Sequence, residues 1–308
     1  MDELLTFNEL PSAVNMRMIT GWRQWADAGS VSSALPEYII EQTGARKIGE
    51  IRSDDFYLFQ IPGAHHLLRP IVQFEDGFSQ SLEQRRNEFY FAGDEANGLI
   101  IFLGDEPHLA VDRYAGALFS AVDLLGVSRI VGLAGVYGPV PYDRERQISC
   151  IYSLPEMRKE LEEYAVGFSD YEGGASIGSY LVSKSKDENL PYLIFYAFAP
   201  AYDFNANELM TQGIRLENDY KAWYDIMRRV NRLLQLNLNL RDLEARSAEL
   251  IDVIDKRIGE LEEEMPQLGI REYLSQVEEQ FTEMQFVKLD EVWEDELKNL
   301  FGEDSENS

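Results

Sequence analysis

Leu99-Ile100-Ile101-Phe102-Leu103 is an unbroken apolar run, as expected of a strand covered on both faces. Gly104-Asp105-Glu106-Pro107 follows it, with Pro107 suited to the first turn of a helix. A helix over residues 109–125 puts Leu118, Val122 and Leu125 on one stripe. Gly126 stops that helix, and Arg129-Ile130-Val131-Gly132-Leu133 reads as the next strand, so one β-α-β unit is complete. Working outward, Met16 to Thr20 predicts a strand feeding a turn at Asp27-Ala28-Gly29, and Tyr192-Leu193-Ile194-Phe195-Tyr196 predicts another buried strand. Ile71 to Phe74 and Glu88 to Phe91 are expected to pair as an antiparallel hairpin around a long polar turn over residues 76–86. Strands alternating with helices define a three-layer α/β domain with a largely parallel sheet.

The C-terminal part reads as helices. Trp223, Ile226, Met227, Val230, Leu233 and Leu234 recur at spacings of three and four. Leu243, Ser247, Leu250, Ile254, Ile258, Leu261 and Met265 repeat the pattern, with Glu244, Glu249, Asp255, Glu262 and Glu263 opposite. Leu236 to Leu240 breaks the period between the two, so an antiparallel hairpin projecting from the core is expected. Ile270, Tyr273, Leu274, Val277 and Phe281 suggest a further helix, and Val292, Trp293, Leu297, Leu300 and Phe301 a last one. Residues 241–308 hold 21 acidic and 7 basic residues, net −14, against −13 for the first 240. The expected division is an α/β core over residues 1–210, a helical extension over 211–301 and a disordered acidic tail over 302–308.

The whole chain has 308 residues, with 55 acidic against 28 basic and a net charge of −27. A nucleic-acid partner is excluded on that balance, since phosphate contacts need clustered Lys and Arg. Apolar residues at 45% supply a packed core. One cysteine, Cys150, leaves no internal disulfide and no four-thiolate zinc site, and its expected role is a small buried hydrophobe. Met1-Asp2-Glu3-Leu4 lacks the charge of a signal peptide, and no apolar run reaches the roughly 18 residues that span a bilayer. No membrane association and a cytoplasmic location are expected.

Catalytic constellations fail on paper. Gly174-Ala175-Ser176-Ile177-Gly178 matches the nucleophile elbow G-x-S-x-G, yet His65, His66 and His108 all precede the serine and the segment before it is turn-like. A glycine-rich turn opening a helix is the better reading. His65-His66, near Asp54-Asp55, are adjacent and point apart, so no metal site is expected. His108 reads as a polar residue near the open N–H groups of a helix start. No phosphate-binding glycine motif occurs, and Asp105 and Glu106 would repel a phosphate at the first strand-helix junction, so no cofactor is expected. Arg113, Arg144 and Arg146 are candidates for an anion site, with pairing to local carboxylates the plainer role. Asp27, Glu106 and Arg144 are the best candidates for acid-base chemistry in a crevice at the strand ends, against ordinary caps and dipole partners.

A set of short motifs occurs in a fixed order. Trp25-Ala26-Asp27-Ala28-Gly29 comes first, preceded by Gln24. Gly104-Asp105-Glu106-Pro107-His108, Gly126-Val127, Leu133-Ala134-Gly135 and Pro141-Tyr142-Asp143-Arg144 follow, then Tyr171-Glu172-Gly173 and Pro200-Ala201-Tyr202. In order and spacing, over residues 16–265, they resemble the proteasome assembly chaperone 2 family in its bacterial branch. Gln24 stands where the family pattern has glycine, and Tyr142-Asp143 where it has His-Thr. The family-motif residues are thus Trp25, Asp27, Gly29, Gly104, Glu106, Pro107, His108, Pro141, Arg144, Tyr171, Gly173, Pro200 and Tyr202.

The resemblance implies a nucleoside-phosphorylase-like α/β fold with a helical C-terminal extension, and self-association into a homo-oligomer. It further implies a non-catalytic protein-binding or assembly-chaperone role; the competing reading is a small-molecule-binding enzyme, hydrolase or ligase-like, that uses the crevice at the strand ends. Some relatives dock on a proteasome by a C-terminal hydrophobic-Tyr-any tripeptide; the sequence here ends Glu306-Asn307-Ser308, so that route is not expected. Protein partners are expected at the helical extension, whose acidic face suits a basic surface.

Overall fold

The computed structural model describes residues 3–53, 55–60, 69–203, 213–282 and 284. Asp54, His65, His66, the helix expected over Val292 to Phe301 and the tail over 302–308 lie outside the described residues. The first half contains β1 (Leu5–Phe7), β2 (Asn15–Arg23), α1 (Ala34–Thr43), β3 (Arg46–Ile51), β4 (Ile71–Glu75), β5 (Phe78–Glu83), β6 (Asn87–Gly93), β7 (Asn97–Asp105) and α2 (Val111–Leu124). The second half contains β8 (Arg129–Gly138), β9 (Ile148–Tyr152), α3 (Arg158–Leu161), β10 (Gly167–Phe168), α4 (Ile177–Ser185), β11 (Tyr192–Asp203), β12 (Gly213–Arg215), α5 (Tyr220–Leu234), α6 (Arg241–Glu264) and α7 (Ile270–Gln280).

Ten strands form one mixed sheet in the order β1-β3-β6-β7-β2-β8-β11-β9-β10, with β12 paired to β11. Its centre, β7-β2-β8-β11, is parallel, and antiparallel strands extend it on both sides. Period-2 alternation divides the core between the faces. On β7, Ile100 and Phe102 join the cluster containing Leu118 of α2 and Leu181 of α4. Leu99 and Ile101 join the opposite cluster, with Leu35 of α1, Leu161 of α3 and Trp223 and Val230 of α5. The three layers expected from sequence are therefore present, sheet between helices.

Two local expectations are corrected. Ile71 to Phe74 does not pair with Glu88 to Phe91: β4 pairs β5, while β6 lies in the main sheet between β3 and β7. The turn is Asp76-Gly77, both at positive φ (48° and 80°), the backbone that a two-residue hairpin loop demands. Helix α2 starts at Val111, past Pro107, because the N–H groups of His108 and Leu109 donate to Phe56 O (2.8 and 3.1 Å) and Ala110 turns left-handed (φ 50°).

The extension is anchored more deeply than a projecting hairpin. Helix α5 lies against the sheet, and the side chain of Asn231 clasps the reversal by bonding both the N–H and the carbonyl of Leu238 (2.8 and 3.0 Å). Leu243, in the first turn of α6, still belongs to the sheet cluster. Further along α6, Ile254, Ile258 and Leu261 form a separate cluster with Ile270 of α7 and with Tyr202 and Leu216. No helix of the described residues is long and apolar enough to cross a membrane.

Candidate functional site

A cleft of about 650 Å³ opens at the carboxyl ends of β2, β8 and β11, where open α/β sheets receive ligands. Trp25 comes from the segment leaving β2, Tyr137 from the end of β8, and Tyr196 and Phe198 from β11. Ser149 and Ile151 of β9 line it beside Tyr171 and the start of α4. Trp25 and Tyr171 stand at 72% and 66% exposure, so large aromatic surfaces meet solvent at the mouth. Ser176 is the N-cap of α4, its Oγ accepting from Ser179 N at 3.4 Å, which is the helix-opening role expected of the glycine-rich turn. Burial raises the pKa of the Tyr196 phenol, and this hydroxyl is shared with Ser176 and Ser179.

Asp27, Glu106 and Arg144 do not line this cleft. The Asp27 carboxylate accepts from the N–H groups of Ser32 and Ser33 (2.8 and 2.9 Å) and the Ser33 hydroxyl (2.6 Å), closing the turn that enters α1. Burial raises its pKa above the ordinary aspartate value, while these bonds act the other way. Glu106 accepts from Trp25 N at 3.1 Å and from Ile177 N at 2.7 Å, binding the β2 exit to the N-terminus of α4. Arg144 pairs with Glu278 of α7 and with Asp143. Asp27→Ala is expected to cost about 1–2 kcal/mol, as for the loss of a cap, and Asp27→Asn clearly less, because the amide keeps an acceptor. Urea unfolding of the two variants checks this; equal damage from both would mean that the charge itself is required.

Three of the motif residues, Gly29, Pro141 and Tyr202, lie instead around a buried ion pair that belongs to none of the motifs. Arg146 and Asp219 are fully buried, and Arg146 Nε and Nη2 reach the two carboxylate oxygens at 2.9 and 3.2 Å. Arg146 Nη1 also donates to the carbonyls of Pro141 (3.1 Å) and Tyr142 (2.8 Å), folding the segment between β8 and β9 around itself. Asp219 caps α5 through Ala222 N (3.0 Å), and its own N–H donates to Gly29 O (3.0 Å), which also accepts from Trp223 Nε1 (2.8 Å). Gly29 has a positive φ of 63°, and a Cβ there would stand 2.6 Å from Asp219 Cβ. Asp27 bridges to Gly135, where a Cβ would meet Ala28 O at 2.0 Å. The Tyr202 hydroxyl donates to Val140 O at 2.6 Å. Gly29 and Gly135 thus mark close backbone approach, and Pro141 lends its carbonyl to Arg146.

Of the other singled-out residues, Arg113 pairs with Asp55 (2.6 Å). His108 Nδ1 accepts from Leu58 N (3.1 Å), an N–H of the preceding segment and not of the helix, and burial lowers its pKa. Cys150 is buried, with its thiol pKa pushed up by burial. Among the described residues no group of three or more His, Cys, Asp and Glu could hold a metal ion. Sequence reasoning missed Tyr137, Tyr196 and Phe198 as cleft residues, and Asp219, Asp225 and Arg229 as buried ionic groups. Gly135, Tyr137, Tyr196 and Phe198 do carry a signal, alternation along strands at their carboxyl ends.

A model of the PAC2 family matches residues 21–258. A proteasome-assembly chaperone homologue from Mycobacterium tuberculosis is similar in fold, at 20% identity and TM-score 0.66, with 78% of this chain and 94% of that one covered. A Corynebacterium glutamicum protein of unknown function aligns at 15% identity and TM-score 0.71, covering 96% and 99%. Pyrococcus furiosus PbaB, an archaeal proteasome activator, aligns at 20% identity and TM-score 0.58, covering 82% and 97%. No curated protein matches the chain.

Proposed function

Since this chain belongs to the PAC2 family, we propose that it is a non-catalytic protein-binding module of the assembly-chaperone kind, acting as a homo-oligomer. The similar mycobacterial and Pyrococcus proteins, a proteasome-assembly chaperone homologue and a proteasome activator, favour a protein as the partner. The observation that carries the reading is the β4-β5 ribbon. Every residue of both strands is exposed, and Ile71, Val72, Phe74, Phe78 and Leu82 are among them, at 49–73%. A two-stranded ribbon is marginal in water on its own, and contiguous exposed apolar side chains mark a contact surface.

The occupant we assign is a second copy of the chain. Among the described residues β4 and β5 pair only with each other, so each keeps an outer edge that a second ribbon can extend while covering the same apolar side chains. Val72 and Leu82 are register partners on one face and half-exposed. Val72→Asp with Leu82→Asp should leave the fold intact and lower the molar mass found by sedimentation equilibrium to that of a monomer. A wild-type chain that is monomeric at every concentration, or a variant that associates as before, would refute the assignment. A client is expected at the outer face of α6, where Glu249, Asp252, Glu260 and Glu263 are exposed, and should be released by salt, which screens exposed charges over about 8 Å at physiological strength. The enzyme reading has less support, since its three candidate residues are engaged elsewhere.

A further inference from the structure

We propose that the cleft at the carboxyl ends of β2, β8 and β11 is a binding site for an uncharged, planar ring compound of small-molecule size. This stands apart from the ribbon and the acidic helix and does not depend on either.

Three observations carry it. The volume, about 650 Å³, is within the usual range for small-molecule sites, and the place is where parallel sheets receive ligands. The lining is aromatic and hydroxylic: Trp25, Tyr137, Tyr171, Tyr196 and Phe198 supply ring surface, and Ser149, Ser169, Ser176 and Ser179 supply short polar groups. Rings favour rings in offset or edge-on contact, and hydroxyls both donate and accept, so a flat heterocycle matches the walls and fixes its orientation.

Charge decides the class. Among the described residues no charged side chain lines the cleft, in a chain of net charge −27. An anion entering would find no cation, and the N–H of Ile177 at the start of α4 is already taken by Glu106. A cation would find no carboxylate in the walls, because Asp27 and Glu106 behind them are turned to backbone N–H groups. Desolvating either ion without a partner is costly, whereas an uncharged ring loses little. The hydroxyls of Ser149, Ser169 and Tyr196 in the walls are acceptors that a ring N–H can meet.

The test uses the full chain and three probes: indole, which is neutral with one N–H, benzoate and benzyltrimethylammonium. Isothermal titration should give saturable binding of indole, at least about tenfold tighter than either ion, and Trp25→Ala should weaken it about tenfold. Trp25 is mostly exposed, so circular dichroism of that variant should match the wild type. Absence of saturable indole binding, equal or tighter binding of a charged probe, or an affinity untouched by Trp25→Ala would each overturn the proposal. Val72→Asp with Leu82→Asp should bind indole as the wild type does, which separates this site from the self-association reading.

Discussion

Arg146→Ala should destabilise the protein by about 3–5 kcal/mol, because it leaves the Asp219 carboxylate buried without its cation. The loss spreads beyond the pair. Without the guanidinium the carbonyls of Pro141 and Tyr142 lose their donor, and the carboxylate that caps α5 is left as a buried unpaired charge. Gly29, held by the Asp219 N–H and by Trp223 Nε1, should loosen with it, and with Gly29 the turn that carries Trp25. Urea unfolding followed by circular dichroism measures the change. Asp219→Ala should be of similar size, and Arg146→Met with Asp219→Leu should recover a large part, since removing both charges leaves none unpaired. A loss below about 1 kcal/mol, the range of a solvent-exposed pair, would mean that the buried ion pair does not hold the segment.

Ile254→Asp with Ile258→Asp is expected to open the distal half of α6 and α7 while the sheet stays closed. Each isoleucine is 3% exposed, and burying it is worth about 1.5–3 kcal/mol, to which an unpaired carboxylate adds a further cost. Their cluster is separate from the two that sandwich the sheet and touches the core through Tyr202 and Leu216. Leu243 remains in the sheet cluster, so the boundary of lost protection is expected within α6, between Leu243 and Ile254. Hydrogen exchange should show amides over residues 250–280 losing protection by at least about a hundredfold, with β7, β2 and β8 unchanged. Loss of protection in both regions together would refute a separable extension.

The β-α-β unit was legible because nothing nonlocal is needed to recognise it. An apolar run such as Leu99 to Leu103 has no polar face to offer solvent, and a stripe of Leu118, Val122 and Leu125 has one period only. The ribbon was legible too, in Asp76-Gly77, the two-residue loop signal between alternating strands, which a long-turn reading of residues 76–86 passes over. Its strands resemble Glu88 to Phe91 in composition, and only the loop tells which partner is near. The Arg146-Asp219 pair could not be read. The two residues lie 73 apart in sequence, and an arginine among many carboxylates is ordinarily a surface residue. The cleft was half legible: strand ends point to its place, but its walls come from five separate segments whose aromatic residues look individually like core.

Amide hydrogen exchange of residues 71–83, followed as the full-length protein is concentrated, tests most directly the claim that this is a self-associating protein-binding module. Exchange across β4 and β5 should slow as concentration rises, on the same curve as the molar mass, while the amides of β2 and β8 keep their rates. Fast exchange of the ribbon at every concentration, unchanged by the presence of further copies, would contradict it.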